Sequence, residues 1–255
     1  MTFTVDKAGR VCLKAPECKA PDHLSAFAEE CRDPLAAIRA AVGVLERAGN
    51  LPGARDQVCR GVMRQVELLD ALAKNCTEYA GFRQGALTLR KKLVDVGEVV
   101  ETAVDACLPT LAACGVSLTQ TRPIQATYAS ADPAWLARMV ENLLEGAARA
   151  TARFGSLELS LRPAEQSLWL CITDGSSEAA RCEVPPSDGV YAFTDGSGIR
   201  ATPGLGIGFA LAQHLVELHG GTIGVGANVA GGCPTFIVSL PRVTAEACGA
   251  PACLI

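Results

Sequence analysis

Aromatic side chains are scarce in this 255-residue chain, at 5%, and positive charge is not in excess. The 23 lysines and arginines stand against 27 aspartates and glutamates, a formal charge of −4. A nucleic-acid binder would carry a basic face, so that class is disfavoured. Long uncharged apolar runs are missing too. The most apolar stretch, Val94 to Leu118, is interrupted by Asp95, Glu98, Glu101 and Asp105, and a membrane span tolerates few such charges. No basic-then-apolar leader opens the sequence, because Asp6, Lys7 and Arg10 break it at once. These absences lead us to expect a cytoplasmic protein. With 49% hydrophobic and 20% charged residues, disorder is excluded.

Cysteine is plentiful, with twelve residues, but metal-binding spacing is absent. Cys12 and Cys18, Cys107 and Cys114, and Cys248 and Cys253 are loosely spaced; no CxxC occurs, and no histidine sits a short step from a cysteine pair. A zinc site is therefore poorly supported. The thiols read best as reduced, small hydrophobes.

Residues 1–21 read as a lead-in. Beyond Asp22, a suitable N-cap, Leu24, Phe27, Cys31, Leu35, Ile38, Val42 and Leu45 recur at steps of three and four, the seam of an amphipathic helix. Gly49-Asn50-Leu51-Pro52-Gly53 breaks the run, and Val58, Val62, Val66, Leu69, Leu72, Cys76 and Tyr79 form a second stripe. Two such helices make an antiparallel hairpin over residues 22–82. One hairpin leaves an apolar face uncovered, which a second copy would cover in a four-helix bundle, so a homodimer is expected. Pro34 interrupts the first helix in a highly charged turn, at a cost of roughly 3 kcal/mol. It is either a kink or part of a site.

Residues 86–241 mix helix and strand. Leu87-Thr88-Leu89 suggests a short strand and residues 95–114 a helix. Asp132-Pro133 is a strong helix start, with Leu136, Met139, Val140, Leu143, Leu144 and Ala147 on the buried side and an end near Arg153. Leu157–Leu161 and Leu168–Ile172 read as a hairpin, followed by a helix from about 206 to 219 and strands Thr222–Val225 and Thr235–Leu240. The fold class is α+β: a helical hairpin followed by a two-layer α/β sandwich, with residues 242–255 as a tail.

Gly204, Gly206 and Gly208 alternate directly before a helix, letting backbone N–H groups approach phosphate oxygens at its positive end. With Leu215 to Gly221 behind it, this segment resembles the second glycine box of sensor histidine kinases. The order of motifs agrees: helical hairpin, Asp132-led helix with Asn142-Leu143-Leu144, Asp174-Gly175, glycine box, Gly220-Gly221. The resemblance covers roughly residues 22–241. It implies a dimerising hairpin bearing a phosphoacceptor, and the ATP-binding fold of the gyrase and histidine-kinase superfamily.

The departures from that pattern carry chemical weight. The family's acceptor box runs His-Glu-Leu-Arg-Thr-Pro-Leu, and here the aligned residues are Glu29-Glu30-Cys31-Arg32-Asp33-Pro34-Leu35. Glu29 stands where the phosphorylated histidine belongs, and a carboxylate cannot form a phosphoramidate. Of the three histidines, His23 lies six residues earlier, and His214 and His219 belong to the second domain, where the family position matching His219 packs structurally. The resemblance assigns the magnesium ligand to the position of Gly146, which has no oxygen to offer. Asn142 and Arg149 match family positions, as does Asp174, the carboxylate that reads adenine. Ser176-Ser177-Glu178 replaces the first glycine box, Phe193 echoes a phenylalanine box, and Asp195–Pro203 would be the lid.

From these residues we expect a pseudokinase of a two-component pathway. ATP binding would be weak or lost, magnesium doubtful, and the chain would act as a dimeric docking or regulatory module. A response-regulator receiver domain or another histidine kinase would be the partner, meeting Glu29, Glu30 and Asp33. The alternatives are a phosphatase or phosphotransfer enzyme acting on a receiver domain, with Glu30 at the acidic position, or an ATP-binding kinase with an atypical acceptor.

Overall fold

The structure is a computed structural model, and it describes residues 2–5, 11–14, 23–48, 52–151, 155–175, 206–226 and 235–243. Strands β1 (Thr2–Val5) and β2 (Val11–Lys14) pair antiparallel, so the segment read as a bare lead-in contains a β-hairpin. Helices α1 (His23–Ala48) and α2 (Pro52–Arg83) follow. The second begins at Pro52, where a missing N–H costs nothing because the first turn has no acceptor for it. Helix α1 continues across Pro34, which is buried.

The second domain begins with β3 (Lys92–Asp95), α3 (Val96–Cys114), β4 (Ser117–Thr121), β5 (Tyr128–Ala131) and α4 (Pro133–Ala150). It continues through β6 (Ser156–Pro163), β7 (Ser167–Asp174), α5 (Gly206–Leu218), β8 (Thr222–Gly226) and β9 (Thr235–Pro241). Strands β3 and β5 pair antiparallel as a separate ribbon. The main sheet has the order β4-β6-β7-β9-β8, with β4 parallel to β6 and every other pairing antiparallel.

Alternation along the strands directs Leu157, Leu159 and Leu161 of β6, Leu168, Leu170 and Ile172 of β7, and Phe236, Val238 and Leu240 of β9 into one core. Helix α4 supplies Leu136, Met139, Val140, Leu143, Leu144 and Ala147 to the same core. Each fully buried leucine or isoleucine contributes about 2 kcal/mol by leaving water. The sequence reading named this α4 face and the β6–β7 hairpin correctly. It put the end of α4 near Arg153; the helix stops at Ala150, capped by Thr151.

Besides β1 and β2, strands β3, β4 and β5 escaped the sequence reading. Strand β4 is a polar edge strand, Ser-Leu-Thr-Gln-Thr, and β5 is only four residues long, so neither presents an apolar run. The strand expected at Leu87-Thr88-Leu89 does not form. Gly85 turns the chain at a φ of 72°, and the N–H groups of Ala86 and Leu87 donate to the Gly81 carbonyl at 2.9 and 3.1 Å. The Arg90 N–H donates to Asp132 Oδ2 at 2.8 Å, so these backbone donors are committed to local and capping contacts rather than to a sheet.

Capping fixes α4 in place. Asp132 Oδ1 accepts from the N–H groups of Ala134 and Trp135 at 3.1 and 3.4 Å. The N–H of Asp132 itself donates to Nε2 of His219, at 3.2 Å, while Nδ1 of that ring lies 2.7 Å from the Leu215 carbonyl. The two bonds require the neutral ring with its proton on Nδ1. His219 is 4% exposed, and burial pushes its pKa below the usual imidazole value. It ties the end of α5 to the start of α4, the structural role its sequence position suggested. Gly220 then turns the chain at a φ of 79°, and Gly221 lies against the Ser239 carbonyl too closely to admit a side chain.

Six described cysteines, at positions 31, 59, 76, 107, 114 and 171, are free thiols. Burial pushes Cys107 up to about 12, which leaves it an inert packing group. Among the described residues no helix is long and apolar enough to cross a membrane.

Because His219 is held neutral, the unfolded chain takes up a proton below pH about 6.5 that the folded chain does not. Stability contributed by the neutral ring is present above that pH and lost as pH falls toward the depressed folded value. Denaturant midpoints at pH 7.5 and pH 5.5 should therefore differ less in His219→Gln than in the parent chain. The variant itself should lose about 1–3 kcal/mol at pH 7.5 by disturbing a buried polar pair.

Candidate functional site

Helix α5 begins at Gly206 and, like any helix, exposes N–H groups without intrahelical partners at its start. The N–H of Ile207 donates to Oε1 of Glu30 at 3.0 Å, across 177 residues of sequence. Glu30 thus brings a carboxylate from α1 to the place where the glycine motif would receive an anion. Its oxygens lie against Gly206 so closely that any side chain there would collide with them. Glycine at 206 is required by this approach. Burial pushes the Glu30 carboxyl above the usual carboxylate range, by more than the Ile207 N–H and the Arg149 guanidinium pull it down.

Apolar packing surrounds the contact. Ile207 is 1% exposed and packs with Ala210 of α5 and Leu72 of α2, joined by Phe27, Cys31, Leu68, Cys76 and Tyr79. His214 extends this junction, its ring 5.8 Å from that of Tyr79 and 6.2 Å from that of Phe82, both edge-on. One end of the hairpin is therefore covered by α5.

A polar bridge runs from α4 to α2 beside it. Arg138 donates from Nε to Glu78 Oε2 at 3.0 Å, from Nη2 to Asn75 Oδ1 at 2.7 Å, and from Nη1 to Glu141 Oε2 at 3.4 Å. Asn75 and Asn142 are 3% and 2% exposed. Asn142 Nδ2 donates to the Arg138 carbonyl at 2.9 Å, whereas its Oδ1 is buried with no partner. Both asparagines face Gly208: a Cβ on that glycine would lie 3.1 Å from Asn75 Nδ2 and 3.3 Å from Asn142 Oδ1.

Of the residues singled out in the sequence, Glu30, Asn142, Gly206 and Gly208 meet at the start of α5, with Arg149 acting electrostatically from the end of α4. Arg149 pairs with Glu145 at 3.5 Å, and Gly146 is buried in the same helix. Glu29 and Asp33 are exposed. Asp174 closes β7, paired with Leu157. Its side chain, Gly204, Glu178, Phe193 and the segment Asp195–Pro203 lie outside the described residues, as do Cys18, Cys248 and Cys253.

Sequence reasoning missed Arg138, Asn75 and Glu78. The available signal was a polar Asn75 three residues after Leu72, on the apolar stripe of α2.

A magnesium–triphosphate group needs oxygen ligands for the cation and free amides for the phosphates. Gly146 supplies no side-chain oxygen, and Glu30 fills the anion position at α5. In this arrangement the described residues do not fit that group.

The Arg138 fork is a charged bridge with little solvent, its side chain 16% and that of Glu78 15% exposed. Arg138→Ala should destabilise the chain by about 1.5–3 kcal/mol in urea unfolding. Arg138→Lys should recover only part of that loss, because an ammonium cannot span Asn75 and Glu78 as the planar fork does.

Residues 131–244 match the family described as the histidine kinase-, DNA gyrase B- and HSP90-like ATPases, a match that implies a pocket of the ATP–magnesium type. The signal transduction histidine-protein kinase BaeS of Escherichia coli K12 is 28% identical over 223 residues, covering 86% of this chain and 46% of that protein. The sensor protein KdpD of the same organism is 27% identical over 228 residues, covering 87% of this chain and 24% of its own length. The chain thus spans less than half of either relative. Among solved structures, the Acinetobacter baumannii histidine kinase AdeS superposes with a TM-score of 0.57 at 19% identity, over 85% of this chain and 98% of that one. Histidine kinase ThkA, solved in complex with response regulator protein TrrA, gives 0.59 at 13% identity, over 88% of this chain and 62% of that one. These likenesses agree with the fold built above, a helical hairpin ahead of an α/β domain, and residues 131–244 carry the histidine kinase-, DNA gyrase B- and HSP90-like ATPase domain within a chain similar to sensor histidine kinases.

Proposed function

We propose that this chain is a pseudokinase of two-component signalling, a dimeric module that works by binding a response-regulator receiver domain or another histidine kinase. The observation that carries this reading is Glu29, exposed on α1 where the family places its phosphoacceptor histidine. A carboxylate there has no nitrogen to phosphorylate. Glu29 and Asp33 instead offer an exposed acidic surface on α1, suited to contact rather than transfer. A receiver-domain partner is consistent with the complex in which ThkA was solved.

The same reading covers the other end of the hairpin. Leu35, Val42 and Val44 of α1 and Met63 and Val66 of α2 are exposed large hydrophobics, with exposures from 37% to 56%. None of them belongs to the cluster packed around Ile207 of α5. A second copy would cover them, since isologous pairing brings the same apolar stripe from both partners. A phosphatase would need Glu30 free to orient water, and that carboxylate is engaged with α5.

Incubated with γ-labelled ATP and magnesium, the purified chain should acquire no label, and neither should Glu29→His. Label on the native chain would overturn the pseudokinase reading. Label on Glu29→His alone would confine the loss to the acceptor position.

The dimer has its own measurement. The parent chain should sediment as a dimer at micromolar concentration, and the pair Leu35→Glu with Met63→Glu should sediment as a folded monomer.

A further inference from the structure

The contact between Glu30 and α5 joins the two domains at the start of α5, where the first backbone amides have no intrahelical acceptor. We propose that Glu30 is an intramolecular latch. Its carboxylate occupies the anion position at the start of α5, and a nucleotide phosphate and Glu30 exclude one another there. This goes beyond the docking role above and holds whether or not the chain transfers phosphoryl groups.

Three observations meet at this point. Gly206 leaves room for the carboxylate only because it has no side chain. The Ile207 N–H is among the first four of a 13-residue helix, so Glu30 supplies an acceptor that the helix itself cannot. Beside them, Asn142 Oδ1 faces Gly208, fully buried and without a donor. A buried, unpaired acceptor is costly, and its presence points to a pocket whose polar requirements are met by something other than the docked hairpin.

The latch is built to release. Glu30 sits one turn before Pro34, which has no N–H to give the Glu30 carbonyl, so α1 lacks a backbone bond where the latch engages. Burial pushes the Glu30 carboxyl above the usual carboxylate range, against the opposing pull of the Ile207 N–H and the Arg149 guanidinium. An anion with several oxygens can compete with such a contact.

Release would also be felt at the hairpin. Ile207 donates its N–H to Glu30 while its side chain packs among Leu72, Phe27 and Cys31. A ligand that binds only the released state shifts the population away from the docked one. Occupancy of the pocket is thereby coupled to how firmly α5 holds the hairpin.

The test uses the full chain with Glu30→Gln, Glu30→Ala and, as a control on the same helix, Glu46→Gln. Hydrogen exchange at the start of α5 is read first, without nucleotide. Protection of the Ile207 amide should fall about tenfold in Glu30→Ala and less in Glu30→Gln, whose amide oxygen still accepts. It should be unchanged in Glu46→Gln. A fluorescent trinitrophenyl-ADP is then titrated without magnesium, and Glu30→Ala should bind it about tenfold more tightly than the parent. Unchanged protection in Glu30→Ala overturns the latch, and so does equal affinity for the probe or no binding to either chain. Labelling by ATP is read separately: it would remove the pseudokinase reading and leave the latch standing.

Discussion

Helix α5 must be buried on two sides at once, and this requirement organises the molecule. Phe209, Leu211, Leu215 and Val216 belong to the core formed with the sheet and α4, whereas Ile207 and Ala210 belong to the junction with the hairpin. A helix apolar all round has no stable place at a surface. The hairpin therefore acts as the outer wall of the second domain, and α5 is the element shared by both. Its start then lies against α1, where an exposed dipole end and an acidic turn are brought together. The Glu30 contact follows from that packing.

Polar groups at this junction settle its register more than its strength. Apolar packing among Ile207, Ala210, Leu72 and Phe27 is tolerant of small shifts, because its energy follows area rather than direction. The Arg138 fork, reaching Glu78 and Asn75 from α4, admits one relative placement of α4 and α2. Glu30 at Ile207 does the same for α1 and α5. Two directional contacts on different helix pairs hold the hairpin in one orientation.

How far the sequence could be read depended on the range of the interaction concerned. The stripes of α1 and α2, the capped start of α4 and the alternating β6–β7 hairpin each declare themselves within some twenty residues. Strands β4 and β5 did not, because a polar edge strand and a four-residue strand hold no periodic signal. Leu87-Thr88-Leu89 misled for the opposite reason: its alternation is strand-like, but Gly85 and the Asp132 cap engage the neighbouring backbone donors. At the site, the glycines announced an anion position, and the acidic turn around Pro34 stood out by breaking a helix rule. That Glu30 answers Ile207 was not visible in either segment.

The chain's local chemistry alone determined the identity of most of its elements, the acidic turn around Pro34 and the presence of glycines able to receive an anion. Periodicity, capping and side-chain chemistry are properties of neighbouring residues, so one sequence carries them. The tertiary structure decided which carboxylate meets those glycines, that Arg138 spans two domains, and that Asn142 is left with an unpaired oxygen. Each of these depends on where elements far apart in the chain come to rest when α5 buries both of its faces, and no local pattern encodes that distance.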